Sequence, residues 1–131
     1  MKAKLAERLT RVASRQTLRL THYGRKSGRS YEVTIWFAVE GAKIYLPTAS
    51  VTRQWVRNVR KTPDVKFSIG GEEFAGTARF LTAARERQRV QAMVARKYWM
   101  FLPVMAIGRL LIATGLMPDQ TGFFEVTPSD G

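Results

Sequence analysis

Short runs in which apolar and polar residues alternate, parted by glycine or other turn residues, constrain this chain more than any other feature. From Thr17 to Tyr23, Leu18 and Leu20 fall on one face and Arg19 and Thr21 on the other, as a half-buried strand requires. Tyr31 to Val39 reads as the next strand, and Glu40-Gly41 turns it back into Lys43 to Leu46. Val65 to Ile69, the Gly70-Gly71 turn and Glu72 to Leu81 form a second hairpin, and Phe123 to Val126 a short last strand. Five or six antiparallel strands leave edges that must be hidden, and closing the sheet on itself hides them. The fold class expected is therefore mainly β (α+β), a small antiparallel barrel with a few helices. At 131 residues the chain fits one compact domain, 1–131.

The helical segments are fewer. Leu5, Leu9 and Val12 recur at helical spacing among basic residues, so residues 1–15 should hold an amphipathic helix with a cationic polar face. Such a helix covers a barrel end or lies on an anionic membrane surface. Arg53 to Lys61 should be a short helix that turns Trp55 and Val59 inward and stops at Thr62-Pro63. Thr82 is placed to cap a helix that runs to about Tyr98. The apolar helical segment 98–117 approaches the length of a membrane span, but Pro103 and Arg109 interrupt it. Burial is its default expectation; a greasy substrate entrance, a membrane contact or a homodimer contact are the alternatives.

Charge narrows the partners. Lys and Arg number 22 against 10 Asp and Glu, a net +12 that draws anions. A polyanionic cofactor, an anionic membrane surface and nucleic acid all satisfy it. Nucleic acid ranks lowest, because the basic residues are interleaved with strands and no recognition signature accompanies them. Without cysteine there is no disulfide or thiolate ligand, and a single histidine argues against a metal centre. The N-terminus shows no apolar stretch and cleavage site of the secretory kind, so the expectation is a cytoplasmic protein, with membrane association left open.

The strongest functional signal is the loop Gly24-Arg25-Lys26-Ser27-Gly28-Arg29-Ser30. Arg25, Lys26 and Arg29 offer cationic donors, Ser27 a hydroxyl, and the glycines let backbone N–H groups approach a phosphate. Its spacing is not that of a Walker loop, and a solvated basic turn would look the same. Trp36, Tyr45, Trp55 and the Tyr98-Trp99-Met100-Phe101 cluster are candidates to wall a flat ring, or else to fill the core. His22 lies close to the loop in sequence but has no catalytic companion, which favours a structural role. No carboxylate pair, nucleophile elbow or metal-ligand cluster is present, so an enzyme of this sequence needs a cofactor to carry its chemistry.

Leu20-Thr21, the Gly24-to-Arg29 loop, Ile35-Trp36-Phe37, Trp55-Val56-Arg57-Asn58-Val59 with Pro63, Val65 to Gly71 and Phe124-Glu125-Val126-Thr127-Pro128 together resemble the deazaflavin-dependent nitroreductase family. The resemblance runs from about Leu18 to Pro128. Tyr31 and Thr34 depart from its pattern, and Thr48 to Gln54 is shorter than its usual loop. It implies a split β-barrel of the FMN-binding-like kind that holds coenzyme F420. The phosphate of F420 would meet Arg25, Lys26, Ser27, Gly28 and Arg29, its acidic tail would meet basic surface, and Trp55 and Asn58 would lie beside it. A hydrophobic unsaturated, nitro or quinone substrate would be reduced, with Tyr98 as a candidate catalytic proton donor. The alternatives are an FMN-binding protein on the same barrel and a non-catalytic lipid-surface module.

Overall fold

A computed structural model describes residues 2–116 and 119–129, with the side chains of residues 2 and 3 left aside. Eleven residues form the first helix, α1 (Lys2–Val12). Then follow β1 (Leu18–Tyr23), β2 (Ser30–Ile35), β3 (Ala38–Glu40), β4 (Lys43–Thr48), α2 (Gln54–Lys61), β5 (Asp64–Ile69), β6 (Glu72–Phe80), α3 (Ala84–Lys97), a single 3-10 turn at Trp99–Phe101, α4 (Leu102–Ala113) and β7 (Gly122–Pro128). The strands make one seven-stranded sheet in the order β2-β1-β5-β6-β7-β4-β3. Every neighbouring pair is antiparallel.

The segment expected as one strand, Tyr31 to Val39, is two strands on opposite edges of the sheet, joined only by Trp36 and Phe37. Three Cα steps reach at most about 11 Å. Seven strands laid flat would hold their edges about 29 Å apart. The sheet therefore curls until its edges nearly meet, which is the split-barrel architecture. Tyr98, at the end of α3, pins that seam: its hydroxyl donates to the Gln16 carbonyl at 2.5 Å and accepts from the Phe37 N–H at 3.1 Å. Lys97 donates to the Phe37 carbonyl at 2.8 Å from over the Phe37 ring.

Alternation dictates what fills the barrel. Leu18 and Leu20 of β1, Val65, Phe67 and Ile69 of β5, and Phe124 and Val126 of β7 point into the main core with Phe37, Ile44 and Leu46. Leu5, Leu9 and Val12 of α1 and Trp55, Val56 and Val59 of α2 complete it. On the other side of β7, Phe123 joins Tyr45, Leu81, Val90, Val94 and Tyr98 beneath α3. Thr82 does not cap α3: the N-cap is Ala83, in extended conformation and without a side-chain hydrogen bond.

The expectation of core burial for the C-terminal apolar segment is overturned, since no residue of α4 is buried. Met105 alone packs on the second cluster, while Val104, Ile107 and Leu110 remain more than half exposed. Met1 and Met117, the far ends expected for the terminal helical segments, lie outside the described residues.

Candidate functional site

The β1–β2 hairpin sets the loop. Tyr23 pairs with Ser30, so the chain must reverse through residues 24 to 29. Gly24 donates its N–H to the Arg29 carbonyl at 2.8 Å, and Gly28 donates to the Gly24 carbonyl at 3.1 Å. The Ser27 hydroxyl accepts the Arg29 N–H at 3.2 Å. Gly28 sits at φ +69°, a conformation that side chains rarely adopt, and a Cβ on Gly24 would meet the Ser27 hydroxyl at 2.7 Å. The glycines are thus required by the turn itself. Lys26, Ser27, Gly28 and Arg29 are exposed, and Arg25 is half-buried.

Arg25 is held from inside the protein. Its guanidinium donates to Asn58 Oδ1 at 2.7 Å, and Asn58 Nδ2 lies 3.0 Å from His22 Nδ1. An arginine can only donate, so the amide oxygen must face Arg25 and the amide nitrogen must face His22. His22 Nδ1 is then the acceptor and Nε2 carries the proton. Burial pushes the His22 pKa below its ordinary value, in keeping with a neutral ring. His22 stacks on Tyr31, its partner across the hairpin, at 5.8 Å between centroids. Lys61, from the last turn of α2, ties down the Arg25 carbonyl at 3.1 Å.

This chain from His22 through Asn58 to Arg25 runs from the barrel wall to the loop. Sequence reasoning gave His22 a structural role and Asn58 a place beside the cofactor, but did not connect them. The parity of β1 was the available signal, since His22 shares the inward face of Leu18 and Leu20.

On the same helix, Trp55 is buried against Phe124, and its indole N–H has no hydrogen-bond partner. A buried donor left unpaired costs about 1 to 3 kcal/mol. Phe124 lines a cleft of about 300 Å³ with Val59, Arg60, Pro63, Ala78 and Phe80. A second groove, of about 480 Å³, crosses the outer side of β1 and β5. Neither includes a loop residue, and the loop from Lys26 to Arg29 is exposed at the surface.

The electrostatics are one-sided. Arg25, Lys26 and Arg29 of the loop, Arg53 at the N-cap of α2, and Arg57, Arg60 and Lys61 within it form no salt bridge among the described residues. The acids instead serve other cations: Glu72 takes Arg8 and Arg11, and Glu125 takes Lys43 and Arg79. The donor set suits an anionic group, and the orphaned indole N–H, one turn before Asn58 on α2, suits an acceptor. Both fit a phosphate-bearing deazaflavin.

Tyr98 is not brought to this corner. The loop precedes β2 and the Tyr98 contacts follow it, so the six residues of β2 set them about 20 Å apart. Its ring lies flat on Trp36 at 4.0 Å, and burial raises the phenol pKa. Tyr45 is likewise engaged elsewhere, by Glu125 and Arg89.

Comparison with known proteins bears on the family and the fold. Residues 2–102 match the model of the F420H(2)-dependent quinone reductase family. An F420-H2 dependent reductase superposes with TM-score 0.66 at 22% identity, over 86% of this chain and 94% of that one. A conserved hypothetical protein from Mycobacterium tuberculosis gives TM-score 0.69 at 21% identity, over 94% and 79%. An F420 reductase gives 0.61 at 16%, over 91% of each. No curated protein matches the sequence.

Proposed function

Since the chain belongs to the F420H(2)-dependent quinone reductase family, and is by that membership an oxidoreductase that uses coenzyme F420, we propose that its Gly24–Arg29 loop seats the F420 phosphate and that it reduces an apolar quinone or a related electron-poor unsaturated or nitro compound. The observation that carries the reading is a set of cations on a closed loop that have no salt bridge among the described residues, one of them fixed by Asn58. When bound, the reduced deazaflavin supplies the hydride. The protein residues bind and align. Lys26, Arg29 and the Ser27 hydroxyl face solvent, where they meet a phosphate, while Arg25 is already oriented and loses little freedom on binding. Arg53, Arg57, Arg60 and Lys61 offer the acidic tail of F420 a charged track. The loop residues align the cofactor and need donate no proton; the proton that follows the hydride onto the acceptor would come from solvent.

The test is titration of the purified protein with F420 and, separately, FMN, followed by deazaflavin or flavin fluorescence, with Lys26→Ala/Ser27→Ala as the paired variant. F420 should bind and FMN should bind weakly or not at all, and the variant should lose about tenfold or more in affinity. Consumption of F420H2 with quinone and nitroaromatic acceptors then ranks the substrates. Equal affinity of the variant and the parent protein would overturn the loop assignment.

A further inference from the structure

The structure redistributes the two segments that sequence alone offers to a membrane. The apolar residues of α1 are inside the barrel, Arg8 and Arg11 are taken up by Glu72, and Arg8 also lies over Phe74. That helix has no apolar face left to give. The exposed apolar surface is instead on the 3-10 turn and α4: Trp99 is 65% exposed, Met100 60%, Val104 68%, Ile107 60% and Leu110 62%. Leu116 continues it just beyond the helix at 75%. An outward row at Val104, Ile107 and Leu110 is the side of a helix that normally carries charge. A contiguous patch of this kind marks a contact that the chain does not satisfy by itself.

Its setting selects the occupant. Between Glu86 and Asp119 the sequence holds Arg87, Arg89, Arg96, Lys97 and Arg109 and no acid. Arg89 is paired with Glu40, and Lys97 is turned inward to Phe37. Arg85, Arg87, Arg96 and Arg109 have no salt bridge among the described residues. The Asp119 carboxylate is hydrogen-bonded by Thr121 and feels Arg87 and Arg109 without a salt bridge to either. A second copy of the chain would therefore bring one basic apolar face against another in a molecule of net +12. An anionic bilayer supplies both complements, an apolar interior for the row and headgroup charge for the arginines. Twelve helical residues extend about 18 Å, short of the roughly 30 Å hydrocarbon core. No described helix is long and apolar enough to cross a membrane, so the helix lies in the interface plane.

We infer that Trp99, Met100, Val104, Ile107 and Leu110 form a docking face for an anionic lipid surface, with Arg96 and Arg109 at the headgroups. The face is argued without reference to the cofactor and stands apart from the proposed reaction. Flotation of the full chain with phosphatidylglycerol/phosphatidylcholine vesicles tests it, against phosphatidylcholine alone, for the parent protein and for Val104→Asp/Ile107→Asp/Leu110→Asp. The parent protein should float with the anionic vesicles, and the variant should partition about tenfold less or weaker still. F420 titration and circular dichroism of both proteins report folding and cofactor binding independently. Failure of the folded parent protein to float, or flotation of the variant to the same extent, overturns the docking face. So does a lipid-free dimer, seen by sedimentation, that the variant converts to monomer. If the face behaves as expected while neither protein takes F420, the proposed reaction falls and the face stands.

Discussion

The loop and α2 make one corner of the molecule, and the 3-10 turn and α4 make another, and the two are left incomplete in different ways. At the first corner the polar groups are tightly organised, with Arg25 held by Asn58, Asn58 by His22 and the Arg25 carbonyl by Lys61, yet among the described residues no carboxylate pairs with the cations. At the second corner apolar side chains face water. A surface that is rigid and short of anions is prepared for one small charged ligand of fixed shape. A surface that is apolar and unspecific suits a partner without fixed shape. On the two proposals made above, the difference separates cofactor recognition from surface attachment within one chain.

The largest effect should come from Asn58→Leu, which keeps the approximate shape but strands Arg25 and His22 together. F420 affinity should fall by about tenfold or more, because Arg25 loses its orientation, and stability should fall by about 1 to 3 kcal/mol for the unpaired buried groups. Fluorescence titration and urea denaturation measure the two. The α4 triple variant should change neither stability nor F420 affinity appreciably, staying within about 0.5 kcal/mol. If the α4 variant costs as much as Asn58→Leu, the contrast between the corners is broken.

Next comes Tyr98→Phe. The Trp36 stack survives, but the Gln16 carbonyl and Phe37 N–H lose their partner at the seam, a cost of about 1 to 3 kcal/mol. Turnover per folded molecule should be unchanged in an F420H2 oxidation assay. A loss of most turnover with stability intact would restore Tyr98 as a candidate catalytic proton donor.

Much of this was legible in sequence, and the failures have physical causes. The hairpins at Gly41 and Gly70-Gly71 and the helix at Trp55 followed from period and turn chemistry. The break at Trp36 and Phe37 did not, because apolar character continues through it and only barrel closure, a long-range event, splits the strand. The loop cations could be found from their glycine frame. The link from His22 to Arg25 could not, since it joins residues 36 and 33 positions apart through Asn58. The apolar content of 98–117 was plain, but composition is silent on whether such a helix faces a core or water.

A smaller effect should follow pH. His22 is neutral in the fold and its pKa is depressed, whereas in the unfolded chain it titrates near its ordinary value of about 6.5. The unfolded state therefore binds the extra proton first. This contribution to stability is complete above about pH 6.5 and is lost as pH falls toward the folded pKa. A protonated ring would turn an Nδ1–H against the Asn58 amide nitrogen, and rotating the amide would present that nitrogen to Arg25. F420 affinity should accordingly weaken several-fold on acidification, and His22→Gln should flatten that slope.

The smallest effect sharpens the comparison most. Trp55→Phe removes an N–H that has no partner in the protein and keeps most of the ring packed on Phe124. Because the donor is already unpaired, its loss should leave the stability of the cofactor-free protein within about 1 kcal/mol of the parent, the lost packing being offset by the removed desolvation cost. If that N–H waits for an acceptor on the bound cofactor, F420 affinity should still drop by about fivefold, the value of one ordinary hydrogen bond. A change in affinity without a change in stability would place the indole among the groups that F420 completes, alongside the loop cations. Equal losses in both would place it in the core alone, and the first corner would then be incomplete only in charge.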